Sequence, residues 1–200
     1  MTSDTDTLAL LERALDQTAA IIAAIPASQA GLPTPCSDWD VRALVHHLTG
    51  QDLRNFLVAV RGETADWQKP ADELGEDWAG EFRDRAGALL AAWRAADPDQ
   101  PTATPGGGRA PLRNRADQQI TELAVHDWDL VKATGQNADL DPALAEYGLG
   151  WSRQMLKPEH RGRAFGPEVA VSPDAPAYDR LAGWFGRDPG WAPPASVSAG

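Results

Sequence analysis

The sequence predicts an all-α fold, a helical bundle with an additional helix and a small irregular cap at its C-terminal end. Three observations carry that prediction. Apolar residues recur at three- and four-residue spacing in five segments, the pattern of helices with one buried face. Pro and Gly punctuate the gaps between those segments. From residue 161 onward the chain changes character, with short apolar patches set among Pro, Gly and Ser. Its 200 residues make one domain's length and can bury a substantial core. Residues 1–160 read as the bundle and 161–200 as the cap and tail of the same domain, and no internal repeat is visible.

Thr5 to Ile25 places Leu8, Leu11, Leu15, Ala19 and Ile22 on one face, and Pro26 closes the helix. Ser37 followed by Asp40 resembles a capping box with Asp in place of Glu or Gln. It opens a second helix through Val41, Leu44, Val45 and Leu48 toward Val60, stopped near Gly62. Residues 63–76 are acidic and irregular, and Trp78, Phe82, Leu89, Leu90 and Trp93 mark a third helix that ends before Pro98. Four prolines and Gly106 to Gly108 make residues 97–112 a long irregular connection, able to cross a bundle from end to end. A fourth helix runs from about Arg115 to Thr134, with Gly135 placed to end it in the left-handed conformation. Asp141 as N-cap and Pro142 in the first turn open a fifth, through about Leu156, with Leu144, Tyr147, Trp151 and Met155 on one face. Phe165 to Val171 reads as a short extended segment, Ala177 to Phe185 as a short helix, and the chain after Trp191 as frayed.

Composition excludes several classes of function. Eighteen basic against 29 acidic side chains give a net charge of -11 and a pI near 4.7, so the basic footprint of a nucleic-acid-binding protein is missing. The lone Cys36 cannot form an internal disulfide, and Met1 precedes a polar, acidic stretch rather than a basic region and an apolar run. A cytoplasmic protein is expected. No apolar stretch approaches the roughly 20 residues that span a bilayer. A homodimer is compatible with the sequence.

Candidate chemistry centres on Glu122 and His126, four residues apart. On a helix such side chains project from one face a turn apart and can reach a common ion. The alternative is a solvated pair, because Ile120, Leu123, Ala124, Leu130 and Val131 define the main apolar stripe and the pair lies off its centre. Val125 and Trp128 add apolar surface elsewhere on this helix, as expected of one buried on more than one side with its polar face lining a cleft. His46 and His47 lie on the second helix, and His47 sits nearer the Leu44 and Leu48 stripe, so it is either a third ligand or an interfacial histidine. Asp129, one turn beyond His126, either accepts an imidazole N–H, takes a proton from a bound thiol or water, or is a surface carboxylate. Gln51 reads as an exposed amide, and Cys36, roughly three turns from His47, as a small buried residue rather than a ligand or nucleophile. Trp39 and Trp128 are candidate walls of an apolar pocket. Gly106 to Gly108 lacks the following Lys-Ser/Thr of a phosphate loop and reads as a flexible connection or a lid, while His160 has no partner at catalytic spacing.

Three segments carry a resemblance. TPCSDWDVRALVHHLTG from Thr34 to Gly50, the stretch from Glu122 to Gly135, and the endings FGPEV and DRLAGWFGRDPGW closely resemble actinobacterial members of the DinB-like superfamily related to mycothiol-dependent maleylpyruvate isomerase. The likeness runs from about residue 6 to residue 191. It implies a DinB-like four-helix bundle in which a His on the second helix joins a Glu-x-x-x-His pair to bind a divalent metal, and these positions fall on His47, Glu122 and His126. The C-terminal phrase resembles a short subgroup described mainly as metal-binding proteins. The characterised isomerase carries a larger C-terminal domain that helps to bind its thiol cofactor, whereas here only the short cap follows the fifth helix. Mycothiol is thus an expected cofactor with an incomplete counterpart for its binding domain.

Two imidazoles and one carboxylate suit Zn²⁺, with Ni or Fe as alternatives, and three protein ligands leave a coordination position open for water or substrate. The leading expectation is a metal-dependent enzyme, a thiol transferase or isomerase, in which the ion lowers the pKa of a low-molecular-weight thiol or of water for transfer, isomerisation or hydrolysis of a small molecule. The other reading is a non-catalytic metal- or ligand-binding protein in stress response or regulation, with the same three ligands. Asp129 is the candidate catalytic residue beside them.

Overall fold

In a computed structural model that describes residues 4–104, 108–156, 161–162 and 165–194, the chain is all-α apart from one small hairpin. Helix α1 (Asp4–Ala23) buries Leu11, Leu15 and Ile22, the face its spacing predicts. The chain then returns through Leu32 to Asp40, where Val41 N–H donates to the Leu32 carbonyl and Arg42 N–H to that of Ala30. Those bonds satisfy two of the free donors at the start of α2 (Val41–His46), and Asp40 Oδ1 accepts a third from Ala43 N–H at 2.8 Å. Asp40 is thus the cap itself, and the capping box expected from Ser37 does not form.

The single helix expected from Val41 to Val60 is observed as three joined parts. Between α2 and α3 (Leu53–Val60) the chain widens into a π-helical turn, His47–Asp52. Gly50 lies in this turn, and a Cβ there would come within 2.5 Å of the Asp72 carbonyl oxygen. Only glycine lets the acidic segment ahead of the next helix pass so close. Arg54 holds that segment through the carbonyls of Lys69 and Pro70 and the Asp72 carboxylate.

Helix α4 (Trp78–Ala95), capped by Asp77 through Gly80 N–H, buries Phe82, Leu89, Leu90 and Trp93 between α1 and α3. The connection that follows is not irregular throughout. Strands β1 (Pro101–Ala103) and β2 (Arg109–Pro111) pair antiparallel, with Pro101 opposite Pro111 and Ala103 opposite Arg109. Three-residue strands are too short to show alternation, and a two-stranded ribbon tolerates proline because each strand has a free edge. Gly106 and Gly107 lie outside the described residues.

Helix α5 (Arg113–Thr134) touches α1, α2, α3, α6 and α7 and is the centre of the fold. Five consecutive residues, Val125 to Asp129, are buried, so it has no solvated side over this stretch. Gly135 ends it at φ 66°, as its position predicts. Helix α6 (Pro142–Met155) starts at the Asp141 cap. Its buried face is Leu144, Ala145, Gly148 and Leu149, rotated from the expected one, and this leaves Met155 47% exposed. Gly148 sits against Thr121 of α5, where close helix contact moves the face.

The cap is a loop and helix α7 (Ala177–Trp184), packed on α6 and α5. The expected extended segment forms no strand, although Val169 N–H donates to the Gly183 carbonyl at 2.9 Å. One cluster of buried apolar side chains runs from Leu11 of α1 to Phe185 after α7. The cap therefore shares the main core, and apolar burial holds it in place. The expected fraying falls mostly on residues 195–200, outside the described residues, as does His160.

Candidate metal centre

Helix α5 places Glu122 and His126 one turn apart, and the π turn brings His47 opposite them. Each of the three offers a donor atom, and these atoms lie within 4.8 Å of one another. His126 Nε2 is 3.6 Å from Glu122 Oε2, and the two imidazole rings meet edge to face with centroids 5.4 Å apart. Trp39 lies against both rings, its centroid 4.3 Å from that of His47 and 5.8 Å from that of His126. Of the two readings of the Glu122 and His126 pair, the solvated one does not match the geometry: His126 is buried, and the carboxylate faces a pocket.

Each ring has its outer nitrogen engaged. His126 Nδ1 lies 2.9 Å from Asp129 Oδ2, and the fully buried Asp129 also accepts from Arg187 Nη2 at 3.0 Å and Arg187 Nε at 3.3 Å. Burial opposes ionisation of Asp129, but the hydrogen bond from His126 and the Arg187 guanidinium outweigh it and hold the carboxyl below the usual range. An ionised Asp129 accepts the Nδ1 proton, which leaves the Nε2 lone pair facing Glu122. Burial in turn keeps the His126 pKa low despite Asp129, so the ring is neutral near pH 7.

For His47 the partner is Gln51. The Gln51 amide nitrogen donates to the carbonyls of Trp67 and Lys69, both at 3.1 Å. Its oxygen is thereby turned to accept from His47 Nδ1 at 2.9 Å, and His47 too keeps its lone pair on Nε2. Gln51 is not the free surface amide its sequence context suggests. Burial lowers the His47 pKa, opposed by the Gln51 bond and the nearby Glu122.

Two ionisable residues at the site were not legible in the sequence. Arg187 comes from the turn after α7, 58 positions from Asp129, and only its place in the phrase GRDPGW singles it out. Asp52, 4% exposed, lies with Oδ2 3.3 Å from His47 Nε2, and burial pushes its carboxyl up to about 8. In a regular helix a residue five positions on would face away, so the π turn is what aims it. Burial, and then Asp52, likewise push the Glu122 carboxyl upward against the pull of His126, His47 and Arg187.

The cluster forms the floor of a pocket of about 290 Å³ whose walls include Cys36, Trp39, Phe165 and Arg187. Cys36 is half-buried at this wall, and burial pushes its thiol up to about 11, so near pH 7 it is protonated and a poor nucleophile. Trp128 does not line this pocket. Its Nε1 donates to Asp179 of α7, tying the cap to α5. His46 turns the other way, against the edge of Trp78.

The helices form the all-α, DinB-like fold that the sequence predicts, with a His, Glu, His cluster at the floor of a pocket. Residues 11–131 match the family described as the mycothiol maleylpyruvate isomerase N-terminal domain, and the chain belongs to it. Two proteins of Mycobacterium tuberculosis, strains CDC 1551 and H37Rv, both named only as uncharacterized, are 33% identical over 195 residues, covering 91% of this chain and 98% of theirs. Crystal structures of mycothiol-dependent maleylpyruvate isomerase share the fold at 16% identity. A histidine-to-alanine mutant superposes with a TM-score of 0.61 over 84% of this chain and 77% of that one. A second structure of the isomerase gives 0.54 over 76% and 70%. Among the described residues no helix is long and apolar enough to cross a membrane.

Proposed function

We propose that the chain is a divalent-metal-dependent enzyme that activates a low-molecular-weight thiol, mycothiol or a similar molecule, or water, for transfer to, isomerisation of, or hydrolysis of a small molecule. The observation that carries this reading is convergence. Two neutral imidazoles, each with Nδ1 engaged from outside, gather with the Glu122 carboxylate beneath an open pocket, His126 Nε2 beside Glu122 and His47 Nε2 beside Asp52. His47, Glu122 and His126 would hold the ion, a donor set suited to zinc and also to nickel or iron. A bound ion supplies a lowered pKa for a thiol or water in the open position.

The chain's own residues supply the rest. Asp129 fixes the plane and tautomer of His126, and Arg187 keeps Asp129 ionised, so both act as positioning residues. Trp39 packs against both imidazoles and forms part of the pocket wall beside them. Family membership supports the thiol as the activated group.

Metal analysis of purified, tag-free protein should give about one divalent ion per chain, and a His47→Ala, His126→Ala double variant should lose it. Unchanged stoichiometry in that variant would falsify the assignment. Cobalt-substituted protein titrated with a thiol then separates enzyme from binding module. A thiolate-to-cobalt absorption band that saturates supports activation, and its absence removes the thiol from the reading.

A further inference from the structure

A second cavity, about 540 Å³, opens beside the metal centre between α5, α6, the hairpin and the cap. Thr121, Glu122, Phe165 and Phe185 line both spaces, so the two communicate along one edge. One side of this cavity is apolar, formed by Trp151, Met155, Leu156 and Phe165. Met155 is the exposed large hydrophobic residue among those described, and its flexible thioether adapts to ligands of varied outline.

The far end is cationic. Arg115 is half-buried, with Nη1 donating to Gln118 Oε1 and Nη2 to the Ala103 carbonyl. Both acceptors are neutral, and the only resolved influence on its pKa is burial, which lowers it. Three of the five guanidinium N–H donors stay available. Arg54, Arg85 and Arg187 are each paired with a carboxylate, whereas Arg115 lines this cavity with no ion pair among the described residues, and the one carboxylate in the lining, Glu122, lies at the other end. Arg115, Gln118 and Glu122 follow one face of α5, and seven residues of helix separate Arg115 from Glu122 by about 10 Å.

We propose that this cavity binds the acceptor substrate as an amphipathic carboxylate. Its carboxylate meets Arg115, its apolar body lies along Trp151 and Met155, and its reacting end reaches the metal centre at Glu122 about 10 Å away. The inference rests on the proposed function for what happens at that end, and it adds the class and length of the molecule: a medium-chain or arylalkyl acid rather than a short diacid.

Calorimetric titration of chelator-treated protein with octanoate, 1-octanol and butanoate tests it without the ion. Octanoate should bind at least tenfold more tightly than either of the others, because one lacks the charge and the other the length. Arg115→Gln should weaken octanoate about tenfold and leave octanol within twofold, while Met155→Glu, on the exposed end of α6, should also weaken octanoate. Equal binding of octanoate and octanol to the wild type, or an Arg115→Gln variant with wild-type octanoate affinity and an unchanged circular dichroism spectrum, overturns the proposal. The two readings fail separately. Metal uptake and thiol binding without octanoate preference defeat only the cavity, and octanoate binding by a protein that takes up no metal defeats only the metal centre.

Discussion

His126 and His47 present the same tautomer to the same pocket, yet they are held in different ways. His126 stands on a regular helix at the centre of the core and leans on a buried ion pair, Asp129 with Arg187. His47 stands on a widened turn and leans on the neutral Gln51 amide, which is clamped by a loop near the surface. A hydrogen bond to an ionised partner is stronger than one between neutral groups. It is also more exposed to damage, since removing one member of a buried pair strands the other's charge. Where solvent is near, water can replace a lost amide. The charged side thus supplies rigidity and the neutral side tolerance.

Arg187→Met breaks the comparison most severely. Asp129 would remain fully buried with only the imidazole against its charge, and we expect a loss of about 3–5 kcal/mol in unfolding free energy. Urea denaturation of metal-free protein measures it. A loss no larger than that of Gln51→Ala would show that the buried pair has no special weight.

Asp129→Asn keeps the shape and removes the charge. Metal affinity should fall by roughly 10- to 100-fold, the range for groups that orient a metal-bound imidazole. Competition with a chromophoric chelator reads the change directly. Equal affinity in the variant would leave Asp129 as a structural partner of Arg187 alone.

The unequal legibility of the two sides follows from the same geometry. Spacing of three and four on a straight helix is preserved in the fold, so Glu122, His126 and Asp129 could be selected from the sequence, and Gly135 and Asp141 end and begin helices where their chemistry predicts. Spacing across the π turn is not preserved, so Asp52 and the Gln51 contact were hidden behind a helix read as regular. Arg187 was hidden because tertiary packing alone brings the cap to α5. On α5 the period separates Asp127 from Asp129, which shares the face of Glu122 and His126. The first accepts from Gln17 of α1 and the second from Arg187 of the cap, a difference decided by which neighbour each meets.

On the neutral side, Gln51→Ala should weaken metal binding by less than about tenfold, since a neutral bond contributes only about 0.5–1.5 kcal/mol net. The same chelator competition tests it beside Asp129→Asn. A loss equal to that of Asp129→Asn would erase the distinction between the two supports.

The smallest expected effect is a displacement along the pH axis, and it sharpens the comparison because it depends on sign. An imidazole must be neutral to bind the ion, so apparent affinity falls once pH drops below the ring's pKa. Burial holds both rings below their ordinary 6.5, while Asp129 raises His126 and the Gln51 bond raises His47 against that trend. Removing either support therefore moves the affected pKa further down, and proton competition begins at lower pH even though binding at neutral pH is weaker. For Gln51→Ala the displacement should be less than about one pH unit, the equivalent of one neutral hydrogen bond, and for Asp129→Asn it should be larger. Protonation of Glu122, whose carboxyl burial pushes upward, adds a second proton common to the wild type and both variants, so it cancels to first order in the difference between curves. Affinity measured from pH 5 to pH 8 for the three proteins gives that difference. Onset moving to higher pH in either variant would mean that the outer nitrogen of that ring is not the one protonated.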